Sequence, residues 1–185
     1  AEIHRVDPAP VLMTVLGWSP TDPVDFGWFE APAAARLANG VALLRRIGLV
    51  EADGFRLTER GARVVSWPLH PRWSVVVDDA LDRGLRREAM EAAAVSEGRE
   101  VLRDASELEG RVDAGDLEVR AAAVFGAPGL PLNRGAAAEA RRVLKQLERW
   151  VPSVRGHRQS EGGLARALLA GFPDRVGRVQ GGDVA

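Results

Sequence analysis

The first seventy residues alternate between short apolar runs and turn signals. Residues 11–16 form an apolar run between Pro10 and Gly17 and predict one helix. Residues 18–29 carry Ser19-Pro20, Asp22-Pro23 and Gly27, and read as a loop. Glu30-Ala31-Pro32 then opens a helix with proline in its first turn. Leu37, Val41, Leu44 and Ile47 recur at helical spacing until Gly48 stops it. Residues 49–57 divide into two strand-like runs around Asp53-Gly54, a dipeptide suited to a tight turn with positive φ. Thr58 is placed to cap a helix over residues 59–67, which Pro68 ends. Helix, helix, two-stranded wing and helix together predict a winged-helix domain over residues 1–68.

Residues 69–185 read as helix throughout, so the predicted fold is mainly α: a winged helix followed by an α-helical bundle. Helices are expected from Pro71 to Leu81 with a stop at Gly84, and then over residues 85–95, 101–108 and 117–124. Residues 126–131, rich in glycine and proline, break the chain. The clearest helix covers residues 136–151, where Ala136, Ala140, Val143, Leu147 and Trp150 make an apolar stripe. Residues 153–163 read as a loop, followed by a helix over 164–172 that Pro173 ends. Trp67, Trp73 and Trp150 could stack on bases, but tryptophan at helical spacing is expected in the core.

Composition narrows the chemistry. The 185 residues contain no cysteine, which removes disulfides, thiolate metal sites and cysteine nucleophiles. The three histidines, His4, His70 and His157, are too dispersed for a histidine metal cluster. There is no phosphate-cradling loop, since the only lysine, Lys145, has no glycine run before it, and there is no Gly-x-Ser-x-Gly nucleophile elbow. Gly162-Gly163 reads as a connector. Asp78, Asp79 and Asp82 put two carboxylates on one helix face, which is expected to be a solvated acidic face. The longest uncharged stretch, residues 8–21, holds three prolines and a glycine and cannot span a bilayer, so a cytoplasmic protein with no membrane partner is expected. The opening at Ala1 and the small polar close at residues 181–185 suit a segment of something longer.

Charge is uneven. Residues 1–80 carry a net −2, residues 81–118 a net −5 and residues 119–185 a net +6. Within the basic third, Arg141, Lys145 and Arg149 are spaced four apart with Arg142 beside them. At about 100° per residue they share roughly a quarter of the helix, opposite the apolar stripe. A row of cations on one face can track a phosphate backbone by releasing its counterions. Arg155, Arg158, Arg175 and Arg178 extend the candidate nucleic-acid-binding set. No catalytic or metal-binding residues emerge.

Leu57-Thr58-Glu59-Arg60-Gly61, followed by Trp67-Pro68-Leu69-His70-Pro71-Arg72, resembles the junction of the winged helix and the helicase-associated domain in DEAH-box helicases. Glu2-Ile3-x-Arg5, Trp18, Trp28-Phe29-Glu30-Ala31-Pro32 and Pro173-Asp174-Arg175-Val176 resemble the bacterial HrpB-type branch. The resemblance implies an accessory segment just after the motor core, non-catalytic alone, that guides single-stranded RNA or DNA and braces the motor domains of the same parent chain. It also implies a ratchet-like helicase-associated domain over residues 69–185. ATP and magnesium would belong to the motor, with no cofactor in this segment. In the family a long helix of that domain lines the nucleic-acid channel, and residues 136–151 are assigned to it on position and charge. The rival reading is a stand-alone winged-helix transcription regulator with a helical dimerisation domain. A groove-reading helix should begin with arginine, lysine, asparagine or glutamine, whereas Ala31-Pro32-Ala33-Ala34-Ala35 is bare.

Overall fold

A computed structural model describes residues 6–104, 116–126, 129–153 and 163–177. Its helices are α1 (Ala9–Trp18), α2 (Ala34–Arg46), α3 (Glu59–Val64), α4 (Pro71–Asp82), α5 (Arg86–Ser96), α6 (Asp116–Phe125), α7 (Arg134–Trp150) and α8 (Gly163–Gly171). The mainly helical class is as expected. Between α2 and α3 the chain turns at Gly54, whose φ of 86° only glycine adopts without strain. The flanking runs pair through one antiparallel bridge, Val50 to Leu57. Thr58 caps α3 as predicted, its hydroxyl accepting from the Gly61 amide at 3.0 Å.

One apolar core runs through both halves of the chain. Leu12 and Leu16 of α1, Leu44 of α2 and Val64 of α3 meet Val75, Val76 and Val77 of α4, Met90 of α5 and Leu147 of α7. α4 lies at the centre, packed against α1, α3, α5 and α8. Pro71 starts it, and His70 caps it by accepting from the Arg72 amide at 3.2 Å. α8 approaches α4 so closely that a Cβ at Gly171 would collide with the Arg72 carbonyl and with Val76. Trp67 and Trp73 are buried in this core, as expected.

Two expectations fail here. Asp78 is not part of a solvated acidic face: it is 4% exposed. It takes Arg60 Nε at 2.8 Å and Arg63 Nε and Nη2 at 3.0 and 3.1 Å, tying α3 to α4. The hydrogen bond to Asp78 raises the Arg63 pKa above the usual arginine value. The expected helix over residues 101–108 is not helical at 101–104, and 105–108 lie outside the described residues. Leu102 instead forms an antiparallel bridge with Leu132. The Arg103 amide donates to Pro131 at 2.9 Å and the Asn133 amide to Val101 at 2.8 Å. A second, smaller core of Val95, Val101, Leu102, Val124, Ala136 and Ala140 forms behind this pairing.

Candidate nucleic-acid interface

α7 is amphipathic, but its inward face is turned from the expected one. Ala136, Ala137, Ala140, Leu144 and Leu147 are buried, while Trp150 is 51% exposed. Ala136, Ala137 and Ala140 pack in the smaller core, and Leu144 and Leu147 enter the main one. Both ends are held. Asn133 caps the start by accepting from the Ala136 amide at 3.3 Å. At the other end Arg86 of α5 donates to the carbonyls of Val151 at 2.6 Å, Pro152 at 2.9 Å and Glu148 at 3.3 Å. A cation on the terminal carbonyls also complements the helix dipole.

Rotation leaves Arg142, Lys145 and Arg149 exposed on the side away from the core. Among the described residues none of the three side chains has a hydrogen bond or ion pair. Arg141 is exposed too, but its Nη2 donates to the Val124 carbonyl at 2.9 Å, closing the end of α6. It stands nearest the buried edge of the helix, which is why it reaches a neighbour. Arg155, Arg158 and Arg178 lie outside the described residues. Arg175 is exposed on the short turn Pro173–Arg175 at the start of α4, with its guanidinium 5.5 Å from the Phe172 ring centre. It lines a different groove from the α7 cations, one that also includes His70 and Arg72.

Sequence reasoning missed further cations at the start of α7. Arg134, its first residue, and Arg103, on the bridged segment beside it, both line the two open grooves found there. Composition pointed to the basic third of the chain, but Arg103 belongs to the acidic middle and arrives only through the 101–133 pairing.

The groove beside His70, about 730 Å³, joins the two quoted motifs. Arg72 of the Pro-Leu-His-Pro-Arg segment grips Asp174 of the Pro-Asp-Arg-Val segment with two bonds, 2.6 and 2.7 Å, and donates to the Gly171 carbonyl at 2.9 Å. Arg72 thereby holds the Asp174 carboxyl down at about 2. His70 Nδ1 accepts from Arg72, which leaves Nε2–H to donate to Asp7 at 3.1 Å. Its amide donates to Glu97 at 2.8 Å, while burial pushes the Glu97 carboxyl above its usual range. Among the described residues no cluster of His, Asp or Glu is placed to hold a metal ion, and no helix is long and apolar enough to cross a membrane.

No family model matches the chain. It is 27% identical to the ATP-dependent RNA helicase HrpB of Escherichia coli (strain K12) over 183 residues, 98% of this chain and 19% of HrpB. It is 31% identical to the ATP-dependent RNA helicase HrpA of the same organism over 93 residues, 48% of this chain and 7% of HrpA. Two crystal structures share its fold at 24% identity: the E. coli DExH-box NTPase HrpB, with a TM-score of 0.64 over 97% of this chain, and the Escherichia coli DEAH/RHA helicase HrpB, with 0.61 over 94%. The chain is similar to HrpB by sequence and fold and to HrpA by sequence, and it spans about a fifth of the length of HrpB (19%).

Proposed function

We propose that this chain is the accessory segment that follows the motor core of an HrpB-like DEAH-box helicase. It guides single-stranded RNA or DNA along α7 and braces the motor domains of its parent chain in the cytoplasm. In this reading residues 1–68 act as a winged helix and residues 69–185 as the helicase-associated domain. Nucleotide hydrolysis, with ATP and magnesium, belongs to the motor.

The observation that carries the reading is the outer face of α7, where Arg142, Lys145 and Arg149 stand exposed, with no ion pair among the described residues, on a helix fixed at both ends. Row and rigidity together suit a backbone that slides past without sequence readout. The bracing role draws on the other end of the molecule. At the end of α1 Trp18 is 82% exposed, and on the loop to α2 Phe29 is fully so, with Val24 between them in sequence. Asp22, Asp25 and Glu30 stand near them in sequence, which suits a protein surface better than a phosphate backbone.

Fluorescence anisotropy of the 185-residue chain with single-stranded and duplex oligonucleotides, at two salt concentrations, tests the proposal. Single strands are expected to bind weakly and without sequence preference. Changing Arg142, Lys145 and Arg149 together to glutamine should reduce the slope of log affinity against log salt by about 2, at roughly 0.7 per contact. Arg141 is left in place because it also closes α6. Sequence-specific duplex binding, lost with Arg36→Gln and Arg46→Gln and untouched by the triple change, would favour the transcription regulator instead.

A further inference from the structure

We infer that the groove at the start of α7 seats one nucleotide of the bound strand, its base on an apolar floor and its phosphate between Arg103 and Arg134. This rests on the proposed strand-guiding role and names a site within it. The groove has a volume of about 760 Å³ and opens to solvent between the end of α6, residues 129–132 and the first turns of α7. Its apolar lining includes Phe125, Leu130 and Leu132, all half-buried. Among the described residues its charged lining is Arg103, Arg134 and Arg141, with no carboxylate.

A neighbouring groove of about 500 Å³ shares Arg103 and Arg134 and adds Arg99 and Asn133. The one carboxylate among its described lining residues, Glu100, is already taken: Arg120 binds it at 3.0 and 3.1 Å, and it accepts the Leu102 amide at 3.0 Å. The Glu100 pKa is lowered accordingly. Among the described residues the Arg103 and Arg134 side chains have no hydrogen bond or ion pair.

Two unpaired guanidinium groups beside an apolar floor match a ligand that is anionic at one edge and flat and apolar at the other. A nucleotide has that division, and arginine can both bind its phosphate through two bonds and stack on its base. Continuity favours a strand over a free ligand. Arg134, Arg141 and Lys145 lie on one side of α7, so the groove continues the exposed row. From Arg134 to Arg149 that path is about 22 Å long.

The test compares an oligothymidine with a strand of equal length made of abasic sugars, which keeps every phosphate and removes every base. The wild-type chain is expected to bind the abasic strand about fivefold or more weakly. In Arg103→Gln/Arg134→Gln that difference should shrink below twofold, with the salt slope reduced by about 1.4. A strand carrying 5-iodouracil should photo-crosslink to residues 129–134. The melting temperature should stay at the wild-type value, because neither side chain has a partner among the described residues. If the wild type binds single strands but the double variant is indistinguishable from it, and crosslinks fall only on residues 142–149, the groove is not the seat and the guiding role stands. If the wild type binds no single strand at all, both readings fall.

Discussion

α4 and α7 are both rich in charge, and they use it in opposite ways. α4 is buried almost all round, and its Arg72, Asp78 and Asp79 each pair with a named partner, Asp174, Arg60 with Arg63, and Arg83. α7 buries a seam of alanine and leucine and sends Arg142, Lys145 and Arg149 outward with no partner among the described residues. Charge that is enclosed and satisfied locates one element against another. Charge that is exposed on a rigid surface stays available for a ligand. Net charge alone would have ranked the two helices by sign and missed this division.

The sharpest way to break the comparison is at Asp78. Asp78→Ala leaves Arg60 and Arg63 without their acceptor. Both are partly exposed and rehydrate in part, so the cost should be about 2–3 kcal/mol, below the full price of a broken buried pair. A chain of this size should lose about 5–10 °C in melting temperature, read by circular dichroism. Strand affinity measured well below that temperature should not change; a parallel loss of binding would mean that α4 charge also serves the ligand.

Gly54→Val comes next. The positive φ disfavours a β-carbon by roughly 1 kcal/mol or more, which lowers the melting temperature by a few degrees. Smaller still is the effect of acid on the Arg72–Asp174 pair. The Asp174 pKa is depressed from 3.8 to about 2, so its contribution is complete above the ordinary carboxylate range and disappears as pH falls through 2. The wild type should lose melting temperature relative to Asp174→Asn between about pH 5 and pH 2, and high salt should narrow the gap. Last, the triple glutamine change on α7 should move the melting temperature by less than about 1 °C while abolishing most strand binding. Matched losses in both would make α7 charge structural after all.

Much of the fold was legible because its signals are local. Thr58, Pro71, Gly48, Gly54 and Gly84 are punctuation that acts within a few residues, and the apolar spacing of α2 repeats within two turns. What escaped depends on residues far apart. Leu102 leaves the helical pattern because it pairs thirty residues on, with Leu132. Asp78 reads as a surface acid until α3 brings Arg60 and Arg63 onto it. Trp150 carries far more apolar area than Ala137, yet alanine is inside, where α7 packs on α5 and α6. For the same reason the exposed row of α7 was visible in advance, and the contributions of Arg103 and Arg134 at its start were not.

The grip of Arg72 on Asp174 also orders events in time. Its two residues are 102 apart, and α8, the most extensive neighbour of α4, is made long after it. Closing a loop of that length costs roughly 4 kcal/mol of chain entropy before any contact repays it. During synthesis at about 5–20 residues per second, α4 waits roughly 5–20 s for its cover. Throughout that interval Val76 and Trp73 present an apolar face to whatever is nearby, so α8 acts as the lock on the first half of the molecule, and the nascent chain is most open to chaperones and to misassembly just before α8 arrives.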